Sequence, residues 1–157
     1  MNDTIASVAI PTVALGSALV GGIFFAFSTF VMKAFARLSP EQGIAAMQEI
    51  NVTVLNPWFF AVFFGTGLGG LYLTVHTVSN WGGPAEVNLA VGSMLYICGT
   101  ILVTIVFNVP LNTALAEAAA TRPEGLSLWQ DYLRRWTIWN HVRTGAAIAA
   151  ATLLLLA

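Results

Sequence analysis

Residues 87–107 read VNLAVGSMLYICGTILVTIVF and contain no charged side chain. A helix rises about 1.5 Å per residue, so roughly 20 apolar residues cross the hydrocarbon core of a bilayer. This stretch therefore predicts a membrane-spanning helix, which we extend to residue 112. Three further apolar stretches predict helices over residues 5–36, 52–78 and 136–156.

The composition of the whole chain supports a membrane protein. Hydrophobic residues make up 57% of the 157 residues and charged residues 8%, and the mean hydropathy is +0.80. A soluble domain carries about 25% charged residues. The formal net charge of −1 provides no basic surface for nucleic acid. We therefore expect one integral membrane domain over residues 1–157, with the lipid bilayer as its partner and no nucleic acid.

The connections between these helices predict an all-α, four-helix up-down bundle, because short links favour antiparallel neighbours. A short helix should precede helix two, with Ser39 as its N-cap, Pro40 in its first turn and Gln42 three residues after the cap. Asn56-Pro57 predicts a kink or break before helix two continues. The loop between helices three and four should be partly helical, with a turn at residues 122–125.

Small residues repeat at four-residue spacing in three of the predicted helices. Such spacing lets helix backbones approach closely in lipid. The contacts would form within one chain or, alternatively, in a homodimer. The positions are Ala14, Ala18 and Gly22; Gly65 and Gly69; and Gly145 and Ala149.

The positive charges predict the orientation. Five of the six Lys and Arg residues lie at or near two loops, residues 37–51 and 113–135. Positively charged loops stay in the cytoplasm. We therefore expect a multi-pass protein with both of these loops in the cytoplasm and both termini outside. The five residues are Lys33, Arg37, Arg122, Arg134 and Arg135.

Polar residues gather at the cytoplasmic ends of helices three and four. Residues 108–112 read NVPLN, which places two asparagines on one helix face. Residues 136–143 read WTIWNHVR, where Trp136, Asn140 and Arg143 share a face at spacings of four and three. These runs predict a polar site in which two helices meet.

Depth in the bilayer restricts where these side chains point. If helix four enters near Trp136, Arg143 lies roughly 10 Å inside and His141 roughly 7 Å inside. An arginine at that depth costs about 2.5 kcal/mol or more when it faces lipid. Arg143 should therefore face the bundle interior or extend back to the cytoplasmic surface.

Together these residues predict a pocket for a planar aromatic molecule with a few polar atoms. The catalytic candidates are Asn108, Asn112, Asn140, His141 and Arg143. The substrate-binding candidates are Gln48, Asn51, Trp136, Trp139, Phe27 and Phe30, and further aromatic walls are expected from Trp58, Phe24 and Phe25.

The two polar runs, with Met47-Gln48-x-x-Asn51 and Asn56-Pro57, resemble the anthrone oxygenase-like family of small four-helix membrane proteins. The resemblance extends over essentially the whole chain. It implies a membrane-embedded monooxygenase or oxidase of an anthrone-like or quinol-like substrate, since fungal relatives oxidise an anthrone to an anthraquinone with molecular oxygen. Bacterial relatives imply an inner-membrane location.

The oxygenase hypothesis needs no cofactor. His141 would be the base that removes an acidic ring proton. Arg143 would stabilise the resulting enolate, and the asparagines would donate hydrogen bonds to the same oxygen.

Two alternatives remain open from the residues alone. One is a haem- or quinone-binding redox protein in which His141 is an axial ligand. The other is a non-enzymatic small-molecule-binding or accessory protein whose polar cluster only holds helices together. No other metal site is predicted, and Cys98 is the only cysteine.

Overall fold

The structure is a computed structural model that describes residues 2–119 and 123–157. Helices make up 89% of it, and the described residues form no strand. The helices in chain order are α1 (residues 2–35), α2 (Pro40–Thr53), α3 (Pro57–Ser79), α4 (Pro84–Ala116) and α5 (Pro123–Leu155).

Capping side chains start α2 and α3 as the sequence predicts. Ser39 and Gln42 form a reciprocal capping box at the start of α2. The side-chain oxygen of Asn56 accepts a hydrogen bond from the Phe59 amide at 3.0 Å, and the next residue, a proline, begins α3. The predicted short helix and the break at Asn56-Pro57 are therefore confirmed.

Two of the long helices change their hydrogen-bonding pattern along their length. α1 becomes π-helical over Phe27–Val31, and α4 does so over Leu95–Leu102 and Thr104–Asn108. A π-helical turn bonds residue i to residue i+5 and is frequent at functional sites. All three segments pack against α5.

In the described part of the chain, three helices are long and apolar enough to cross a membrane, namely α1 from Thr4, α3 and α4. The fourth crossing, predicted over residues 136–156, is not among them. The polar side chains of Asn140, His141 and Arg143 lower the hydropathy of α5 at the point where the crossing would begin. The chain is thus a membrane protein with three candidate spanning helices.

The connection before α5 is partly helical, as the sequence predicted. Of residues 113–135, those up to Ala116 belong to α4 and those from Pro123 belong to α5, so the first turn of α5 replaces most of the turn predicted at residues 122–125. The reason is that Trp129 and Tyr132 bury an apolar face, which extends the helix. Arg122, which contributed to the predicted turn and orientation, lies outside the described residues.

The long helices contact each other in a regular pattern. α1 packs against α3 and α5, and α4 packs against the same two helices. α2 lies against the carboxyl-terminal end of α4 and against α5. The buried core forms three clusters along the long axis, around Leu73, Tyr96 and Trp136 respectively.

The predicted small-residue contacts form only in part. Gly69 lies against Val13 of α1, as close packing within one chain requires. A side chain added at Gly22, Gly65 or Gly145 would meet nothing within 4 Å. These three positions do not pack within the chain, and their use in a homodimer stays a prediction.

Candidate functional site

A cavity of about 280 Å³ lies between α2 and the ends of the four longer helices nearest to it. Its walls are mostly apolar, with a few polar side chains, as in many small-molecule sites. The polar lining residues are Asn51, Thr104, Asn112 and Arg143. The aromatic lining residues are Phe24, Phe27, Phe59, Phe60, Phe63, Phe64 and Trp136.

A larger groove of about 850 Å³ runs between α1 and α3, lined by Thr12, Gly16, Gly65 and other small or apolar residues. No charged or amide side chain lines it. The smaller cavity is the better candidate site, because recognition and chemistry require polar groups that converge on a ligand.

Arg143 is the most unusual side chain of the cavity wall. It is only 5% exposed, and its guanidinium carbon lies 3.9 Å from the Phe24 ring centroid and 4.8 Å from that of Trp136. Cations are attracted to the faces of such rings, more strongly where water is excluded. The two rings therefore hold the guanidinium at the cavity.

Two hydrogen bonds set the orientation of that guanidinium. Nε of Arg143 donates to the side-chain oxygen of Asn140 at 2.9 Å, and Nη1 donates to the Thr104 hydroxyl at 3.2 Å. Both acceptors are neutral. The remaining N–H groups of Nη1 and Nη2 are available as donors for a ligand.

Among the side chains that the structure describes, no carboxylate pairs with this guanidinium. All seven Asp and Glu residues lie outside the hydrophobic stretches, and within residues 4–119 and 124–157 the ion pair is that between Arg135 and Asp131. An unbalanced buried cation is costly. The cavity is therefore best suited to an anionic or strongly electron-rich oxygen placed next to Arg143.

Asn140 connects Arg143 to α1. Its amide nitrogen donates to the Phe24 carbonyl at 2.7 Å and to the Ser28 hydroxyl at 2.6 Å. Ser28 in turn lies 3.1 Å from the Thr144 hydroxyl. Asn140 is fully buried, so it positions the guanidinium and joins α5 to the π-helical part of α1.

Asn112 positions the Trp136 side chain of the cavity wall. Its side-chain oxygen accepts two hydrogen bonds, from the Tyr132 hydroxyl and from the Trp136 indole nitrogen, both at 2.9 Å. Burial raises the pKa of the Tyr132 phenol, which therefore stays a neutral donor near pH 7. Asn112 thus fixes the indole plane that faces the cavity.

Of the other predicted amides, one lines the cavity and two bond to backbone carbonyls outside it. Asn51 lines the cavity, and its amide nitrogen has no hydrogen-bond partner among the described residues. Asn108 is fully buried and donates to the Trp136 carbonyl at 3.3 Å. Gln48 donates to the Leu115 carbonyl at 2.8 Å, so it caps the end of α4 and does not line the cavity.

Several predicted residues lie outside the cavity. His141 is exposed, on a different side of α5 from Arg143. Trp139 stacks on Phe107 with ring centroids 3.6 Å apart, and Phe30 is 61% exposed. The structure therefore brings together Arg143, Asn112, Asn51, Trp136 and Phe27, but not His141, Trp139 or Phe30. Of the other expected aromatic walls, Phe24 lines the cavity, whereas Trp58 and Phe25 are exposed.

Sequence reasoning missed the hydroxyl groups of this site. Thr104 contacts the Arg143 guanidinium, and Thr100 donates to the Arg143 carbonyl at 3.3 Å. A signal was present, because Thr100, Thr104, Asn108 and Asn112 follow one another at four-residue spacing in α4. Ser28 and Tyr132 carry no comparable signal.

No cluster of three or more metal-ligating His, Cys, Asp or Glu side chains occurs in the part of the chain that the structure describes. The cavity lining contains no histidine. An axial haem ligand from His141 would thus approach from outside this cavity.

Comparison with known protein families gives a match for this chain. The family described as anthrone oxygenase matches residues 55–153, a range that includes Thr104, Asn112, Trp136 and Arg143 but not the α1 and α2 walls. No curated protein and no solved structure matches the chain.

Proposed function

The chain belongs to the anthrone oxygenase family, and from this premise we propose that it oxidises a planar aromatic substrate with molecular oxygen inside the membrane. The observation that carries the proposal is the buried Arg143 guanidinium, held between two aromatic rings at a cavity without a carboxylate in its lining. Such a site favours an electron-rich aromatic oxygen.

The proposed arrangement in the bilayer has four crossings, with α5 as the fourth. Arg143 is buried inside the protein, so α5 does not present that charge to lipid. The loops near residues 37–51 and 113–135 would lie in the cytoplasm, and both termini outside. The cavity would then lie near the cytoplasmic side of the membrane.

The proposed reaction converts a ring CH₂ group of an anthrone-like substrate to a carbonyl. Loss of one proton from that carbon gives an enolate, whose oxygen accepts hydrogen bonds from Arg143. The carbanionic carbon adds O₂ and a proton to give a hydroperoxide. Cleavage of its O–O bond with loss of the second C–H proton yields the quinone carbonyl and water. One oxygen atom thus enters the product, and the other leaves as water.

Arg143 contributes by stabilising the enolate. A guanidinium in a site that excludes water stabilises a developing oxyanion far more than it would in water. The same interaction lowers the pKa of the substrate's acidic carbon. The cavity lining supplies no imidazole or carboxylate, so the first proton would leave the cavity to the solvent beyond it.

The stacked walls contribute binding and orientation. Phe27 lies against the Trp136 indole with ring centroids 5.7 Å apart, and Phe59 stacks on Phe63 at 5.4 Å. A flat ring system fits between such faces. Asn51 and Asn112 would donate hydrogen bonds to a second substrate oxygen.

The test is turnover of anthrone by the purified protein in lipid nanodiscs, with ¹⁸O₂ and with subtraction of spontaneous oxidation. We expect one ¹⁸O atom in the anthraquinone product. Arg143→Gln should lower kcat/KM by about 100-fold, the typical effect of removing one oxyanion donor. Arg135→Gln, at an exposed position on the same helix, is the matched control and should retain full activity.

Other outcomes of this experiment favour the alternatives. Anthraquinone binding without any turnover would support a small-molecule-binding protein. A Soret band in the purified protein would support the haem-binding alternative. Equal activity of the Arg143 and Arg135 variants would overturn the role assigned to Arg143.

A further inference from the structure

The cavity at Arg143 has a wall of exposed apolar side chains. Phe60 and Phe64 of α3, and Ile105 and Val109 of α4, line the cavity. They are 38%, 45%, 50% and 45% exposed, respectively. Residues that both line a cavity and reach the outer surface mark its opening. Two other lining residues are also exposed, Ile23 of α1 and Leu55 at the junction of α2 and α3. The four residues of α3 and α4 lie together and mark an opening on the side of the protein, between these two helices.

The packing of α3 against α4 explains why a gap exists there. The two helices touch where Gly67 meets the Ile101 side chain, where Gly70 meets Ser93, and where the Tyr96 hydroxyl donates to the Phe63 carbonyl at 3.1 Å. Along α4, the packing of α3 involves Pro84–Met94 and Leu95–Leu102. Beyond Ile101, α4 continues through its second π-helical segment, Thr104–Asn108, and packs against α5. The ends of α3 and α4 nearest α2 are therefore apart.

Both helices beside this gap are among the candidate membrane-spanning helices. If both helices cross the bilayer, a side opening between them with only apolar residues at its rim would face the hydrocarbon core. A water-filled route would instead carry polar side chains. The polar groups of the cavity, Arg143 and Asn112, lie behind this rim.

From these observations we infer that the substrate reaches Arg143 from the lipid phase, through the gap between Phe60 and Phe64 of α3 and Ile105 and Val109 of α4. This inference rests on the proposed function for the identity of the substrate. The rim residues would select flat, lipid-soluble, uncharged forms. Ionisation would then follow inside the cavity, next to the guanidinium.

The test places a large side chain in the rim. Ile105→Trp should narrow the gap, whereas Val106→Trp, at a neighbouring exposed position that does not line the cavity, is the matched control. The probe is 9,10-anthraquinone in nanodiscs, and its arrival is followed by quenching of Trp136 fluorescence, taken as the difference between each protein and the same protein carrying Trp136→Phe. We expect Ile105→Trp to slow quenching at least tenfold, and Val106→Trp to leave it within twofold of the unchanged protein.

Two further measurements keep the test decisive. Val109→Trp, from the other end of the rim, should reproduce the slowing if Ile105→Trp fails to fold. In the unchanged protein, the quenching rate should follow the mole fraction of anthraquinone in the lipid, and not its total aqueous concentration. Water-soluble anthraquinone-2-sulfonate should quench much more slowly.

The two proposals fail in different ways. If the unchanged protein does not turn over anthrone but Ile105→Trp slows quenching, access from lipid is retained and the oxygenase is rejected. Turnover and quenching that are unaffected by both rim variants would reject access from lipid and retain the oxygenase. Rapid quenching by the sulfonate would also reject access from lipid.

Discussion

At the scale of single residues, the site depends on a small number of asparagines with different tasks. Asn140 holds the Arg143 guanidinium in place, and Asn112 accepts from two ring systems. Asn51 lines the cavity, and its amide nitrogen donates to no acceptor among the described residues. Amides suit these tasks because each carries both an acceptor and a donor group.

Removal of Asn112 should be destabilising. Asn112→Ala would leave the Tyr132 hydroxyl and the Trp136 indole N–H without their acceptor, and each unsatisfied buried donor costs about 1–3 kcal/mol. Thermal unfolding in nanodiscs, followed by near-ultraviolet circular dichroism, measures this change. Asn88→Ala, which removes an exposed contact to the Leu156 carbonyl, should change the unfolding temperature little. Equal stability of both variants would contradict the role of Asn112.

His141 provides a second test at this scale. Because its side chain is exposed and the cavity lining contains no histidine, we expect His141→Ala to retain anthrone turnover within about threefold. The measurement is kcat and KM from pH 6 to pH 9. Loss of turnover, with a shifted pH profile, would instead support His141 as the base that the sequence predicted.

At the scale of elements, the junction between α2 and α3 determines the shape of the cavity. Asn56 accepts from the Phe59 amide and donates to the Thr53 carbonyl at 3.0 Å. It therefore ties the end of α2 to the start of α3. Residues on both sides of this junction, Val54, Leu55 and Phe59, line the cavity.

A change at this junction should loosen both helices. Asn56→Ala removes the N-cap of α3 and should lower the free energy of unfolding by about 1 kcal/mol. Asn56→Asp keeps the side-chain acceptor of the N-cap and should lower the free energy of unfolding by less. Reversible unfolding in mixed micelles measures the difference. If Asn56→Asp proves as unstable as Asn56→Ala, the cap is not the stabilising contact.

At the scale of the whole molecule, α5 is the helix that packs against most of the others. It packs against α1, α2 and α4, and it carries Trp136, Asn140 and Arg143 into the interior. Its low hydropathy is a consequence of this role, because a helix that brings polar groups to a buried site cannot be uniformly apolar. This is the physical reason that α5 differs from the three candidate spanning helices.

The proposed fourth crossing can be tested with single cysteines in a Cys98→Ala background. Ser127→Cys and Ala157→Cys lie beyond opposite ends of the predicted crossing over residues 136–156. In intact cells, a membrane-impermeant maleimide should label the second position and not the first. Labelling of both positions at similar rates would show that α5 does not cross the bilayer.

Much of the architecture could be predicted from local sequence. The apolar stretches predicted the candidate spanning helices, and Ser39 and Asn56 predicted the starts of α2 and α3, because hydropathy and capping depend on neighbouring residues only. The sequence also predicted that Trp136, Asn140 and Arg143 share a helix face, since that follows from helical spacing. It similarly indicated that the site would draw on the ends of α4 and α5.

Only the tertiary structure decided which way each face points. Neighbouring positions on a helix point about 100° apart, so the rotation that buries Asn140 and Arg143 leaves His141 exposed. That rotation is set by packing of α5 against α1 and α4, through contacts such as Asn140 to Phe24 and Arg143 to Thr104. The gap between α3 and α4 likewise arises from contacts between residues distant in sequence. The sequence by itself thus determined the helices and their polar faces, and the packing decided which of those faces form the site.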